Sequence, residues 1–209
     1  MGIILRICFF GDSFTHDVGD EEGLGWRGRI VARLLKERPN LTAYDLGIRR
    51  DTSADISNRW EMEALVRLPQ GYQHRLAFCF GTNDCADDGS GIRRVSYAET
   101  VKNTHAILAR SAALAPTILI GPPPILDDPT ADHRIEELEP ALQSIAEQYN
   151  IPFIPMLDTL RHAPQWTQGA AAGDGTHPDR AGYAFMADCI WKWSAFSAWV
   201  DSFDNQHSS

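Results

Sequence analysis

Five short apolar runs, each separated from the next by a segment with helical spacing, are what most restrict the folds open to this chain. The runs occupy residues 5–10, 41–46, 75–80, 117–120 and 151–154. Most are nearly continuous in apolar residues, as strands buried on both faces must be. Trp26, Ile30, Leu34 and Leu35 then fall on one face of a first helix. A second helix is predicted over about 53–66 and a third over about 97–114, and Ile135, Leu138, Leu142, Ile145 and Tyr149 mark a fourth. A last helix is predicted to start near Pro178, with Phe185, Cys189, Trp193, Phe196 and Val200 as its core-facing stripe. Such alternation specifies an α/β domain around a parallel sheet, with right-handed crossovers. Residues 1–203 read as one domain and 204–209 as a frayed tail.

Charge narrows the function classes. The formal net charge of −9 argues against nucleic acid, whose phosphates require a basic footprint. No apolar run approaches the ~20 residues that span a bilayer. The apolar start of the chain runs straight into Gly11-Asp12-Ser13 with no cleavage-site pattern, which reads as a first strand and not a signal peptide. A cytoplasmic location is therefore expected. The four cysteines, Cys8, Cys79, Cys85 and Cys189, show neither CxxC nor metal spacing and read as small hydrophobes in a reducing compartment.

In parallel sheets, ligands bind beyond the carboxyl ends of the strands, so the residues that follow each strand carry the functional reading. Gly11-Asp12-Ser13-Phe14-Thr15 follows the first run, and Gly47-Ile48-Arg49-Arg50-Asp51-Thr52-Ser53 the second. Gly81-Thr82-Asn83-Asp84 follows the third, Gly121-Pro122-Pro123-Pro124 the fourth, and a loop beyond the fifth reaches Asp174-Gly175-Thr176-His177-Pro178. Acyl transfer needs a nucleophile, a base, a group that orients the base, and donors for the oxyanion. Ser13 at a strand-to-loop junction suits the nucleophile, and His177 suits the base. Asp174, three residues earlier, can fold back to hold the imidazole tautomer. Ser13 N–H, Gly47 N–H and the Asn83 side chain are expected to form the oxyanion hole.

Taken in order, Gly11-Asp12-Ser13-Phe14, Gly47, Gly81-Thr82-Asn83-Asp84 and Asp174-Gly175-Thr176-His177-Pro178 resemble the four signature blocks of the GDSL (SGNH) esterases and lipases. The resemblance implies a three-layer α/β/α, flavodoxin-like fold with a five-stranded parallel sheet. It also implies a serine-dependent ester hydrolase that needs no metal or other cofactor, in a family whose substrates span lipid esters, thioesters and acetylated sugars. The short chain and the absence of a secretion-signal pattern point to small intracellular esters. Two positions depart from the pattern. Phe14 stands where the family name has Leu, and Arg50 stands where the second block often carries a further glycine.

Other readings of the same residues remain open. An acyltransferase would use the same acyl-enzyme, and a binding module for an acyl or sugar group would keep the fold without the chemistry. Arg49 and Arg50 are candidates for meeting an anionic substrate group, although adjacent arginines more often pair with carboxylates such as Asp51 or Asp55. Trp166 is a candidate for lining the pocket or for anchoring its loop. Trp191, opposite the stripe of the last helix, and Trp199, toward its edge, are candidates for a homo-oligomer interface or a lipid contact, and equally for packing beneath the tail. The acidic run 16–22 and Asp84, Asp87 and Asp88 read as solvated loop charges without a metal-ligand pattern. Gly23-Leu24-Gly25-Trp26-Arg27-Gly28 matches GxGxxG but follows no strand directly, which argues against a dinucleotide site.

Overall fold

The computed structural model describes residues 4–87 and 89–202. The chain begins with β1 (Leu5–Gly11), α1 (Gly25–Glu37), β2 (Thr42–Gly47), α2 (Ser53–Arg67) and β3 (Gln73–Cys79). It continues through α3 (Thr82–Cys85), α4 (Tyr97–Leu114), β4 (Thr117–Ile120), α5 (Pro129–Gln148) and β5 (Phe153–Ile154). Four further helices follow: α6 (Leu157–Arg161), α7 (Pro164–Ala172), α8 (Arg180–Lys192) and α9 (Ser194–Asp201). The five strands form one parallel sheet in the order β2-β1-β3-β4-β5. The strand order reverses between β1 and β3, and in such sheets the loops diverge at that point to leave a crevice.

Alternation along β1 sends its side chains into two separate cores. Ile7 and Phe9 pack with Trp26 and Ile30 of α1, Tyr183 and Met186 of α8, and Phe196 of α9. Cys8 and Phe10 pack with Ile56 and Trp60 of α2, Ile107 of α4 and Leu138 of α5. A tryptophan meets the strand edge-on from each side: the ring centroids are 5.7 Å apart for Phe9–Trp26 and 6.2 Å for Phe10–Trp60. The result is the three-layer α/β/α arrangement.

Arg75 of β3 is a guanidinium buried in this apolar frame, with 1% of its surface exposed. It donates to the carbonyls of Trp199 (2.6 Å), Val200 (3.1 Å) and Ser202. The carbonyls that end a helix have no partners within it, so one side chain caps α9 and fastens it to the sheet.

The strands and the second and third helices fall within two residues of the sequence prediction, an ordinary uncertainty of element ends. Three features of the C-terminal part differ. First, α6 and α7 occupy what reads as loop. Second, the last helix breaks at Trp193, and α8 starts from an Asp179 cap whose side chain accepts from Ala181 and Gly182 N–H. Third, the buried face of α8 is Tyr183, Met186, Ala187 and Ile190, not the predicted stripe. Phe185 and Cys189 are only half-buried and Trp193 is exposed, whereas Phe196 and Val200 are buried on α9. The break re-phases the helix, which is why a single stripe cannot describe both pieces. Leu35 is likewise exposed.

For the two tryptophans the structure favours packing over exposure. Trp199 is buried and donates its indole N–H to Pro116 C=O at 2.9 Å, and Trp191 is half-buried, packed against Phe196. All four cysteines are free. The proposed tail, 204–209, lies outside the described residues, among which no helix is long and apolar enough to cross a membrane. Replacing Arg75 with Leu removes the charged donor from the α9 carbonyls. It is expected to cost about 2–3 kcal/mol of stability in urea unfolding and to speed amide exchange across α9 while leaving catalytic turnover intact.

Candidate active site

The nucleophile loop starts where β1 can go no further. Gly11 is in register with Gly47 on one side and Cys79 on the other. A Cβ at Gly11 would lie 2.1 Å from Thr15 Oγ1 and 2.4 Å from Cys79 C=O, so the chain folds back over a position that admits only glycine. The turn is closed by His16 N–H on Asp12 C=O (3.0 Å) and Val18 N–H on Ser13 C=O (3.0 Å). Asp12, fully buried, accepts Phe14 N–H at 3.0 Å and fixes the bend beneath Ser13.

Ser13 Oγ lies 2.8 Å from His177 Nε2, and His177 Nδ1 lies 2.7 Å from Asp174 Oδ2. The other Asp174 oxygen accepts the N–H groups of Thr176 (3.0 Å) and His177 (2.8 Å). Gly175, at φ +87°, makes the return turn that brings the two side chains together. With Nδ1–H given to Asp174, the Nε2 lone pair faces the serine hydroxyl, the arrangement that general-base catalysis requires. Partial burial would raise the Asp174 carboxyl, but the His177 N–H, the His177 ring and the Thr176 N–H outweigh it and hold it at about 2. Asp174 therefore stays ionised throughout the range in which the imidazole works.

Behind the imidazole lies an aromatic stack. Phe14 sits 4.9 Å from the His177 ring centroid and is stacked on Trp166 at 5.8 Å. Trp166 belongs to α7 and has no exposed surface. Its place is under the nucleophile loop, so the structure corrects the pocket-lining expectation. Asn83 is the second residue of α3, which starts after Gly81, whose φ is +114°. Its Nδ2 donates to Asp12 Oδ2 at 3.1 Å and its Oδ1 accepts from Arg94 at 3.0 Å. Ser13, Phe14, Asn83, Arg94, Asp174 and His177 border a cleft of about 340 Å³.

The second loop is where the structure departs most from the sequence reading. Gly47 is glycine for packing: a Cβ there would lie 2.6 Å from His16 N and 2.8 Å from Asp12 C=O. Its N–H is already given to Asp45 Oδ1 at 3.0 Å, and Gly47 is not among the residues lining the cleft. The predicted oxyanion role of Gly47 is thereby corrected. Arg49 and Arg50 do line the cleft, both exposed. Arg50 has φ +73°, a left-handed backbone at a position where glycine is the usual solution. Among the described residues the Arg50 N–H has no acceptor. Neither arginine forms an ion pair among those residues, because Asp51 is taken by Arg59 (2.7 Å) and Asp55 by its capping box with Thr52.

Two supposed solvated acids are buried. Asp84 accepts from Ser53 N–H (2.8 Å) and Thr100 (2.8 Å), tying the starts of α2 and α4 to α3. Asp20 accepts Gly25 N–H (2.7 Å) and pairs with Arg29, capping α1. Asp88 lies outside the described residues. His16, Asp17 and Asp45 are close enough to share a cation, but Arg27 already supplies positive charge there, 3.1 Å from Asp45 and 3.8 Å from Asp17.

Comparison with known proteins supplies the family. The family model of the GDSL-like lipases and acylhydrolases matches residues 9–185, from the end of β1 to α8. The chain belongs to that family. As a GDSL-like acylhydrolase it is a carboxylic ester hydrolase. No curated relative is found by sequence. Solved structures share the fold at low identity. An acetylxylan esterase from Geobacillus stearothermophilus is 23% identical over 88% of this chain and 91% of its own, with TM-score 0.71. A lipase/acylhydrolase from Enterococcus faecalis is 24% identical over 88% and 92%, with TM-score 0.72. An α/β hydrolase from the metagenome of Lake Arreo, Spain, is 22% identical over 96% and 97%, with TM-score 0.71.

Two outcomes follow for the carboxylates of this GDSL-like site. Asp174→Asn is expected to lower kcat by about 10³–10⁴ and also to lower the melting temperature at neutral pH, where the ionised carboxylate, held at about 2 in the folded protein, contributes to stability. Burial pushes the Asp12 carboxyl up to about 7, against the hydrogen bonds from Phe14 and Asn83. The folded protein thus holds this proton more tightly than the unfolded chain does. That stabilisation is complete below about pH 4 and is lost as the pH rises through about 7. Melting curves should therefore show Asp12→Asn gaining on wild type between pH 5 and pH 8. A difference that stays constant over that range would show that Asp12 does not titrate there.

Proposed function

We propose that this ester hydrolase works through an acyl-enzyme on Ser13, and that its substrates are short acyl esters of polar alcohols. The observation that carries the mechanism is the unbroken line Ser13 Oγ–His177 Nε2–Asp174, with contacts of 2.8 and 2.7 Å, at the edge of the cleft. In the first half-reaction Ser13 Oγ attacks the carbonyl carbon as its proton passes to His177 Nε2. The tetrahedral oxyanion is held by Ser13 N–H, Asn83 Nδ2–H and the backbone N–H of Arg50, which takes the place first assigned to Gly47. His177 then gives its proton to the departing alkoxide, and the alcohol leaves. In the second half a water delivers its proton to His177 and its hydroxyl to the acyl carbon. Ser13 departs with the proton restored, and the carboxylic acid is released.

The substrate class rests on the cleft. Its side chains are mainly polar or charged, including Arg49, Arg50, Asp127 and Thr176, with Phe14, Ala86 and Ile125 as the apolar contributions. An alkyl chain would gain little from such walls, whereas a hydroxyl-rich alcohol finds donors and acceptors. An acetylated sugar meets that description, in line with the substrate of the acetylxylan esterase that shares the fold. Four free cysteines suit a reducing compartment, and the cytoplasm is the proposed location.

Hydrolysis of p-nitrophenyl acetate, butyrate and octanoate by wild type and Ser13→Ala tests this reading. Ser13→Ala is expected to lose about 10⁴-fold or more in kcat, with an unchanged circular dichroism spectrum. Turnover by wild type should fall at least about tenfold from acetate to octanoate. Activity that survives in Ser13→Ala would rule out the acyl-enzyme, and a preference for octanoate would rule out the substrate class.

A further inference from the structure

Arg94 lies outside the four sequence blocks, yet its side chain touches two of them. The guanidinium donates from Nη1 to Asn83 Oδ1 at 3.0 Å and from Nη2 to Arg50 C=O at 2.8 Å. One planar fork thus joins the loop after β2 to the start of α3, the two segments that flank the nucleophile loop. The residue is itself well anchored. Arg94 N–H binds Ala86 C=O at 3.0 Å, and Val95 N–H binds the carbonyl of Asp84 at 3.2 Å.

A primary amide can sit in either of two orientations that differ by exchange of O and NH₂. At Asn83 the neighbours decide between them. Arg94 offers only hydrogen-bond donors at any working pH, and Asp12 on the other side, once ionised, offers only acceptors. The observed orientation gives Oδ1 to Arg94 and one Nδ2 hydrogen to Asp12 at 3.1 Å, leaving the second Nδ2 hydrogen for the cleft. A flip would set NH₂ against the guanidinium and oxygen against the carboxylate, which is repulsive at both ends. Arg94 also fastens Arg50, whose left-handed backbone has no glycine to relax it.

We propose that Arg94 is a positioning residue for the oxyanion hole, selecting the Asn83 amide orientation and holding the Arg50 segment beside it. The inference rests on the reading of Asn83 as an oxyanion donor. Because the two terminal nitrogens of Arg94, Nη1 and Nη2, are directed at Asn83 and Arg50, its proposed action on the transition state runs through those two residues.

A double-mutant cycle on the full chain tests this, read as kcat and KM for p-nitrophenyl acetate together with melting temperature. Arg94→Ala is expected to lower kcat at least about tenfold while KM stays within about twofold, and Asn83→Ala to lower kcat by about 10²–10³. The double variant should be slower than Asn83→Ala alone by clearly less than the loss that Arg94→Ala causes in wild type, since no amide is left to orient and only the hold on Arg50 is lost. Arg94→Lys should recover only part of the loss, because an ammonium on a flexible stem does not reproduce the fork. Millimolar guanidinium should raise the rate of Arg94→Ala by a larger factor than that of the double variant. Losses that multiply in the double variant, or a change confined to KM, would overturn the inference. So would an unchanged kcat in Arg94→Ala, with the oxyanion reading left standing if Asn83→Ala is still impaired. An unimpaired Asn83→Ala would bring down both.

Discussion

The absence of a side chain at Gly11 is the constraint on which the rest of the active site depends. β1 is hydrogen-bonded to strands on both sides up to that residue, and the next turn folds over it within van der Waals distance of Thr15 and Cys79. Any Cβ there would push the nucleophile loop out of the sheet's end. Ser13 is thus held by a strand with no freedom to slide and by a turn with no room to relax. The geometry that carries reactivity is paid for by the core and not by the loop itself.

Three other segments converge on that fixed point, and each uses a different local device. His177 and Asp174 meet across a turn that needs a left-handed glycine, Gly175. Asn83 is carried on a single turn of helix directly after β3, with Asp84 buried beside it as a cross-brace to α2 and α4. The segment after β2 is held at Arg50 in a conformation that glycine would adopt without strain. The strand order puts the loops after β1 and β3 side by side at the reversal, so Ser13 and Asn83 approach each other without long excursions.

Much of this was legible in the sequence, because strands buried on both faces leave a strong local signature and their carboxyl ends say where to look. Ser13, Asn83, Asp174 and His177 were found that way, and the structure brings them to one cleft. What escaped depended on packing. The helices α6 and α7 are short, and Trp166 inside them follows no period long enough to read. The break at Trp193 shifts the buried face from one helix to the next. Gly47 and Arg50 show the limit most clearly. A glycine marks a place where the backbone can come close, but which N–H points into the cleft is set by a carboxylate, Asp45, two residues back. Arg94 is a lone arginine in a loop and carries no sequence signal of its role.

The two ends of the sheet are governed by separate chemistry. At the carboxyl ends of the strands, directional contacts among a handful of loops set what the protein can do. At the opposite end, near the start of β3, Arg75 gathers the terminal carbonyls of α9 and locks the C-terminal helix beneath the strands. Substitutions around this anchor can raise or lower the resistance of the fold while the loops drift toward new esters. An evolving lineage, or an engineer, thus has robustness and specificity on opposite poles of one molecule, each adjustable with little disturbance to the other.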